Sequence, residues 1–419
     1  MVHVQVAMQT LSNRQDVLVC SCCLGPLPCP VEIHLACMTD SHTIQALAED
    51  PGVVVGCTQA CGELYCSVKC RDQAWHGSHC MLCVGHVPDE EAAAHPLVQF
   101  KVFAVQTNEI LLLASAVLAR MILHLEKSDP DTLDPFSSFV QEPWDTVVQP
   151  SADADNNAED LRGTLRSMCD DAARLLREAF GAVAGGPRER MASFVTADRV
   201  SRIVGMFEQN QLGIRCRSPL RPWVEEVHQL AQAGGSIEEL ERLAPYLRDL
   251  AREAEESSED DEDEEWESED EEESEASGAI AVTDPSALLM ETADLIQVSS
   301  TEADIDPLFQ PLDGTALFST TCIMNHSCDP NVAVSWADAA APVAWRKDVK
   351  SIAEAELQEG SETPTKPLTL EVRALRDIGI GEELRFTYIS KDLPRKERKR
   401  ALAEYGFACK CELCFKGLK

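Results

Sequence analysis

A chain of 419 residues, 44% of them hydrophobic, can bury a core and has room for two or three domains. Its formal net charge of −36 argues against a general grip on nucleic-acid phosphates. No run reaches about 18 uninterrupted apolar residues, which argues against a membrane span, and "MVHVQVAMQTLSNRQDV" lacks the charged start and apolar block of a secretory signal.

In chain order, residues 1–19 alternate like one strand and a turn. Residues 20–85 concentrate Cys and His. From Pro96 to about His124 the apolar residues recur at three- and four-residue steps, which predicts a helix. Polar, Pro-containing sequence follows to about Asn157. "AEDLRGTLRSMCDDAARLLREAFGAV" predicts a second helix, ended near Gly185-Gly186, and "ADRVSRIVGMFEQNQLGI" a third. Helical stretches between Pro222 and Glu255 run into residues 253–275, which carry 17 acidic side chains and no basic one. Such a run repels itself and has little to bury, so it reads as disordered, either a solvated spacer or a holder of a basic partner. Beyond it, "TALFSTTCIM", "NVAVSW", "APVAWRKDV", "LTLEVRAL" and "EELRFTYI" are short runs of β-formers. Residues 351–367 read as a surface loop between two strands, and "LPRKERKRALAEYG" as a helix before "FACKCELC". There is no internal repeat. The chain divides into a strand (1–19), a Cys-rich block (20–85), a helical region (96–250), an acidic tract (251–278), a small-stranded region (305–395) and a C-terminal Cys segment (396–419).

Without export, eighteen cysteines point to metal rather than to a disulfide framework. The block runs Cys20-x2-Cys23, a long gap, Cys57-x3-Cys61-x4-Cys66-x3-Cys70 and His79-x3-Cys83. Eight such ligands suit two tetrahedral zinc ions, and binding would supply much of the folding free energy of so small a unit. Cys22, His76 and Cys80 sit beside these positions and leave the register open. The spacing, with "YCSVKC", Trp75 and the final His-x3-Cys, resembles the MYND zinc finger. The resemblance implies interleaved ligands: Cys20, Cys23, Cys66 and Cys70 on one zinc, Cys57, Cys61, His79 and Cys83 on the other. Two departures stand out: three residues inside the Cys57/Cys61 pair where two are usual, and the long gap after Cys23.

The C-terminal region carries "CIMNHSCDPN" at 322–331, then "GIGEELRFTYI" with Tyr388 near its end, then Cys409-x-Cys411-x2-Cys414. Three cysteines leave a tetrahedral zinc one ligand short, and Cys328 is the obvious fourth. NHSCDPN, GEEL-x3-Y and C-x-C-x2-C in this order resemble the SET-domain lysine methyltransferases, and with the Cys-rich insert the SET-and-MYND family. "MFEQNQLGIRCRSPL" and "GTALFSTTCIMNHSCDPN" look closest to the plant trithorax-related SET proteins. The resemblance covers roughly residues 1–83 and 195–419.

It implies an α+β fold: a small-sheet, β-rich SET domain interrupted by a MYND-like finger and helices, closed by a post-SET zinc site. It implies an S-adenosylmethionine-dependent protein-lysine N-methyltransferase acting on histone or another lysine-containing protein, in the nucleus or cytoplasm, with three zinc ions and a possible peptide partner for the finger. Asn210, Asn325, His326, Tyr405 and Phe407 would contact the cofactor or flank the lysine channel, and Tyr388 would be the catalytic tyrosine, also touching the cofactor. The family's glycine-rich turn and two strands ahead of the finger have no counterpart before "MVHVQVAMQT". Half of the cofactor pocket and one partner of the sheet are therefore expected to be missing. That departure keeps open a catalytically impaired, zinc-dependent interaction adaptor. The basic run "KDLPRKERKR" is read as the solvated face of a helix rather than a DNA contact.

Overall fold

The computed structural model describes residues 5–6, 18–27, 54–127, 136–148, 158–182, 194–216, 312–337 and 368–415. The acidic tract, the helices expected between Pro222 and Glu255, the "APVAWRKDV" strand and the 351–367 loop lie outside the described residues. Short β-strand β1, Gln5–Val6, comes first. In the Cys-rich unit, β2 (Val55–Gly56) and β3 (Leu64–Tyr65) pair antiparallel. Helix α1, Val68–Ala74, starts where the Ser67 hydroxyl accepts from the Cys70 N–H at 3.2 Å. It runs into a π-helical turn, Trp75–His79, whose wider winding carries His79.

Sequence periodicity predicts a single helix from Pro96, but the chain forms two: α2, Pro96–Thr107, and α3, Ile110–Lys127. Asn108 makes the break. Its backbone is extended and its Oδ1 accepts from the Ile110 N–H at 3.0 Å, giving α3 a cap that apolar spacing does not register. The turn α4 (Trp144–Val147), α5 (Ala158–Ala182) and α6 (Ala197–Asn210) complete a helical region that buries Phe100, Leu118, Leu176 and Phe207 in one cluster. Helix α6 is interlocked with residues 140–144. Trp144 N–H donates to Ser201 Oγ (2.9 Å), Trp144 Nε1–H to Glu208 Oε1 (3.1 Å) and Glu142 N–H to Gln209 Oε1 (3.2 Å). Arg202 donates to Gln141 O (3.1 Å) and Asn210 to Val140 O (3.0 Å). The approach is so close that a Cβ on Gly205 would stand 1.9 Å from Glu142 O, so only glycine fits there.

The third predicted helix also ends earlier than its pattern. The chain leaves helix at Gln211, and β4, Leu212–Cys216, pairs antiparallel with β5, Leu312–Phe318. Ladder hydrogen bonds to a strand about a hundred residues away decide this local choice. The three-stranded sheet has the order β1-β5-β4. β6 (Asn325–His326) runs parallel to β9 (Arg385–Phe386), and β7 (Val332–Ala337) antiparallel to β8 (Thr369–Ala374). Helix α7, Arg395–Glu404, follows Pro394, and a short α8, Glu412–Phe415, closes the described chain. The architecture is α+β: a helical region flanked in sequence by short strands and two Cys/His clusters before it, and by small sheets and a third cluster after it. Among the described residues no helix is long and apolar enough to cross a membrane.

Candidate active site and metal centres

Among the described residues, twelve side chains converge into three sets of four: Cys20, Cys23, Cys66, Cys70; Cys57, Cys61, His79, Cys83; and Cys328, Cys409, Cys411, Cys414. Within each set the ligand atoms all lie within 4.8 Å of one another. A tetrahedron with metal–sulfur bonds of about 2.3 Å has edges of about 3.8 Å. The observed Sγ separations are 3.6 Å for Cys23–Cys66 and for Cys66–Cys70, 3.8 Å for Cys57–Cys83, and 3.9 and 3.6 Å from Cys328 to Cys409 and Cys414. His79 Nε2 stands 3.3 and 3.4 Å from the sulfurs of Cys57 and Cys61.

The N–H groups of Cys22, Gln59 and Cys411 point at the sulfurs of Cys20, Cys57 and Cys409, 3.4 to 3.5 Å away, and would stabilise thiolates. Crowding splits the thiols: the Cys83 thiol and burial push Cys61 up to about 12, while its hydrogen bond with Cys61 lowers Cys83 itself. Donor type, spacing and crowding all fit zinc.

The open register closes in the fold. Cys22 stays outside the first set, His76 Nδ1–H donates to Asp72 O (2.7 Å), and Cys80 packs against the helical core.

The loop after β5 is held by the glutamates of "GEEL". Buried Asn331 donates to Glu382 Oε1 (3.0 Å) and Glu383 O (2.9 Å) and accepts from the Arg385 N–H (2.8 Å). Asn325 donates to Glu383 Oε1 at 2.6 Å. Arg376, then Asn331 and the Gly379 N–H, hold the Glu382 carboxyl down to about 2. His326 accepts at Nδ1 from the Tyr388 N–H (3.0 Å), so Nε2 carries the proton and donates toward Cys328 Sγ (3.2 Å). Burial lowers the His326 pKa and favours this neutral form. The loop is thereby tied to β9 on one side and to the four-cysteine set on the other.

Tyr388 is the centre of the ring contacts. Its hydroxyl donates to Met324 O at 2.6 Å, and burial raises its pKa. Phe386, His326 and Tyr405 stand 4.9, 5.3 and 5.4 Å from it between ring centres, and Phe407 lies perpendicular at 6.2 Å. Tyr405 reaches back from beyond α7 to donate to Tyr388 O (3.2 Å).

Beside these rings opens a cavity of about 380 Å³. The end of α6 and the start of β4 form one wall, β7 and Leu370 of β8 another, and Phe386 to Tyr388 with Cys322 and Tyr405 the remainder. Of the residues singled out from sequence, Asn210, Tyr388 and Tyr405 line this cavity. His326 and Phe407 pack on Tyr388 outside its lining, and exposed Asn325 is bound to Glu383. Asn210 spends both amide protons on Val140 O and Met206 O (3.0 and 2.8 Å), so its side chain ties helix to loop. Sequence reading missed Glu208, Cys322 and Trp336 in the lining. Glu208 lies two residues before Asn210, and Cys322 opens the NHSC stretch, but neither matches a motif position.

The sequence profile of the SET domain matches residues 232–389, ending one residue after Tyr388. The chain carries a SET domain. Its Cys/His clusters fit the SET-and-MYND type. The chain is 26% identical to the histone-lysine N-methyltransferase ATXR2 of Arabidopsis thaliana over 397 residues, 90% of this chain and 64% of the relative. It is 34% identical to the histone-lysine N-methyltransferase Smyd1 of Mus musculus over 107 residues, 25% of this chain and 19% of the relative. It is 30% identical to the N-lysine methyltransferase SMYD2 of Homo sapiens over 102 residues, 24% and 17% of the two chains. The chain thus spans a little under two thirds of the length of ATXR2 and far less of the others. The cavity wall from α6 and β4, the residues after Ile389 and the first two clusters lie outside the SET match, so the site is built from the SET domain and its flanks together.

Proposed function

We propose that this SET domain is a protein-lysine N-methyltransferase that uses S-adenosylmethionine, acting on histone, with Tyr388 at the transfer centre. One observation carries the reading: the Tyr388 hydroxyl, fixed on Met324 O, belongs to a ring cluster at the wall of the cavity, beside the four-cysteine set. S-adenosylmethionine would supply the activated methyl group. The aromatic wall and carbonyl oxygens suit a sulfonium cation, whose positive charge favours π faces and dipoles. Asn325 and His326 on β6, with Asn210, Tyr405 and Phe407, are the residues we assign to holding it.

The chemistry asked of the protein is positional. The amine must arrive neutral, with its lone pair free. Half-burial disfavours the ammonium form by desolvation and excludes water. Tyr388 does not act as a base, because burial keeps its phenol protonated. Its proton is committed to Met324 O, which leaves the oxygen lone pairs to orient the amine. Preorganised dipoles of this kind account for the acceleration. The four-cysteine set anchors the tail that delivers Tyr405 and Phe407. Zinc in the three sets is part of the same proposal.

The test is transfer of labelled methyl from S-adenosylmethionine to core histones by the full chain. Tyr388→Phe should lower the rate by about a hundredfold or more while the far-ultraviolet circular dichroism stays unchanged. A wild-type protein that neither binds the cofactor by calorimetry nor transfers label would end the reading. A second reading, a zinc-dependent interaction module, is favoured by the separate small core of the Cys-rich unit, in which Leu18, Leu27, Val54 and Tyr65 surround the thiols. It predicts partner capture that Cys66→Ser abolishes and Tyr388→Phe leaves intact.

A further inference from the structure

Among the described residues lining the cavity, Glu208 is the one charged side chain. Its Oε1 accepts from Trp144 Nε1–H at 3.1 Å. Trp144 is only 2% exposed and is itself held by its backbone N–H on Ser201 Oγ. The carboxylate therefore has a fixed place, although its side chain still reaches solvent. A second feature has the same sign. Glu208 lies in the last turn of α6, a 14-residue helix, and the aligned peptide dipoles put negative partial charge at that end. The other walls are aromatic or uncharged: Trp336, Phe386, Tyr388 and Tyr405 offer π faces. A cation entering here meets a carboxylate, a helix C-terminus and aromatic rings, with no positive side chain of the described lining against it.

We propose that Glu208 is a specificity-determining residue that binds a positively charged side chain next to the target lysine in the substrate chain. This rests on the methyltransferase reading above. Position assigns Glu208 to the neighbour and not to the reacting amine. A carboxylate at the transfer centre would hold the amine as ammonium and remove its lone pair. Glu208 is exposed at the rim, whereas Tyr388 is half-buried against Phe386 and His326. The substrate class that follows is a basic segment, in which arginine or a second lysine flanks the modified lysine.

The test uses short peptides with one central lysine, flanked on both sides by arginine in one and by glutamine in its twin. The wild-type kcat/KM favours the arginine peptide by about tenfold, and Glu208→Gln compresses that ratio to about twofold or less. Glutamine retains an oxygen for the Trp144 N–H, so the variant keeps the interlock. Glu208→Arg turns the preference toward a glutamate-flanked peptide. Equal wild-type rates on the two peptides would overturn the proposal. So would a Glu208→Gln protein slowed alike on both with the ratio intact. Fluorescence anisotropy of labelled twins carrying norleucine at the centre reads binding without transfer. If no peptide is methylated, the methyltransferase reading fails. The arginine-to-glutamine binding ratio, in wild type and in Glu208→Gln, still decides the role of Glu208.

Discussion

Between Pro96 and Asn210, helices bury Phe100, Leu118, Leu176 and Phe207 in one continuous cluster. Among the described residues between Met324 and Tyr388, the cluster under the site buries Met324, Val332 and Phe386, with Val334, Ile378 and Tyr388 partly buried against them. Each fully buried aliphatic or aromatic side chain contributes about 2 kcal/mol, so burial is the main support of the helical region. The described part of the site region buries far less. Its strands are short and β8 is largely exposed. What fixes it is a set of directional contacts: Asn331 between two glutamates, His326 between Tyr388 and Cys328, and four cysteines that suit a metal. Scaffold and site are thus stabilised by different physics, and they should fail differently.

The largest effect expected is from metal removal. A strong zinc chelator should strip amide-exchange protection from residues 57–83 and from 409–414 while the helices α2 to α6 keep theirs. The lost contribution is on the order of 10 kcal/mol per structural zinc. Unchanged protection at the clusters would show that burial holds them after all. Next is Phe100→Ala, in the fully buried helical core, which should cost about 3–4 kcal/mol in urea unfolding and leave the metal content per folded chain unchanged.

A smaller and more local loss is expected from Asn331→Ala. It removes three hydrogen bonds and orphans the Arg385 N–H, for about 2 kcal/mol, seen as faster exchange at 325–331 with little change in the helices. If α2 to α6 loosened equally, the two regions would be one cooperative unit.

The smallest effect is a titration. Arg376 holds the folded Glu382 carboxyl at about 2, against about 4.3 for a free glutamate. A depressed carboxylate adds stability above its unfolded pKa, and that stability is lost as pH falls from about 4.3 toward 2. Carboxyl carbon resonances should show Glu382 ionised through pH 4 in the wild type, and the Arg376→Gln variant should move its midpoint upward.

Much of the site was legible in the sequence because its parts are local. Cys20-x2-Cys23, Cys66-x3-Cys70 and Cys409-x-Cys411-x2-Cys414 each place two or more sulfurs within a single turn of chain. The four-residue sets that the structure assembles coincide with those implied by the spacing and the family resemblance. The helices were legible for the same reason, since a 3.6-residue period is a property of neighbours. Where the reading failed, distant partners decided. Asn108 splits the first predicted helix by capping the second half. Leu212–Cys216 becomes strand because β5 supplies its hydrogen bonds. At Asn210, which lines the cavity, tertiary structure settles only where the amide protons go, onto Val140 O and Met206 O.

Residue type and short spacing by themselves narrowed the metal ligands to a few neighbouring candidates and marked which segments wind as helices and that a loop rich in donors and acceptors precedes β7. Tertiary structure alone decided what those groups face. Trp144 meets Glu208 across 64 residues, and Asn331 meets Glu382 across 51. Such pairs form only after packing has closed the chain between them, and the closure entropy is recovered through burial that no short window of sequence contains.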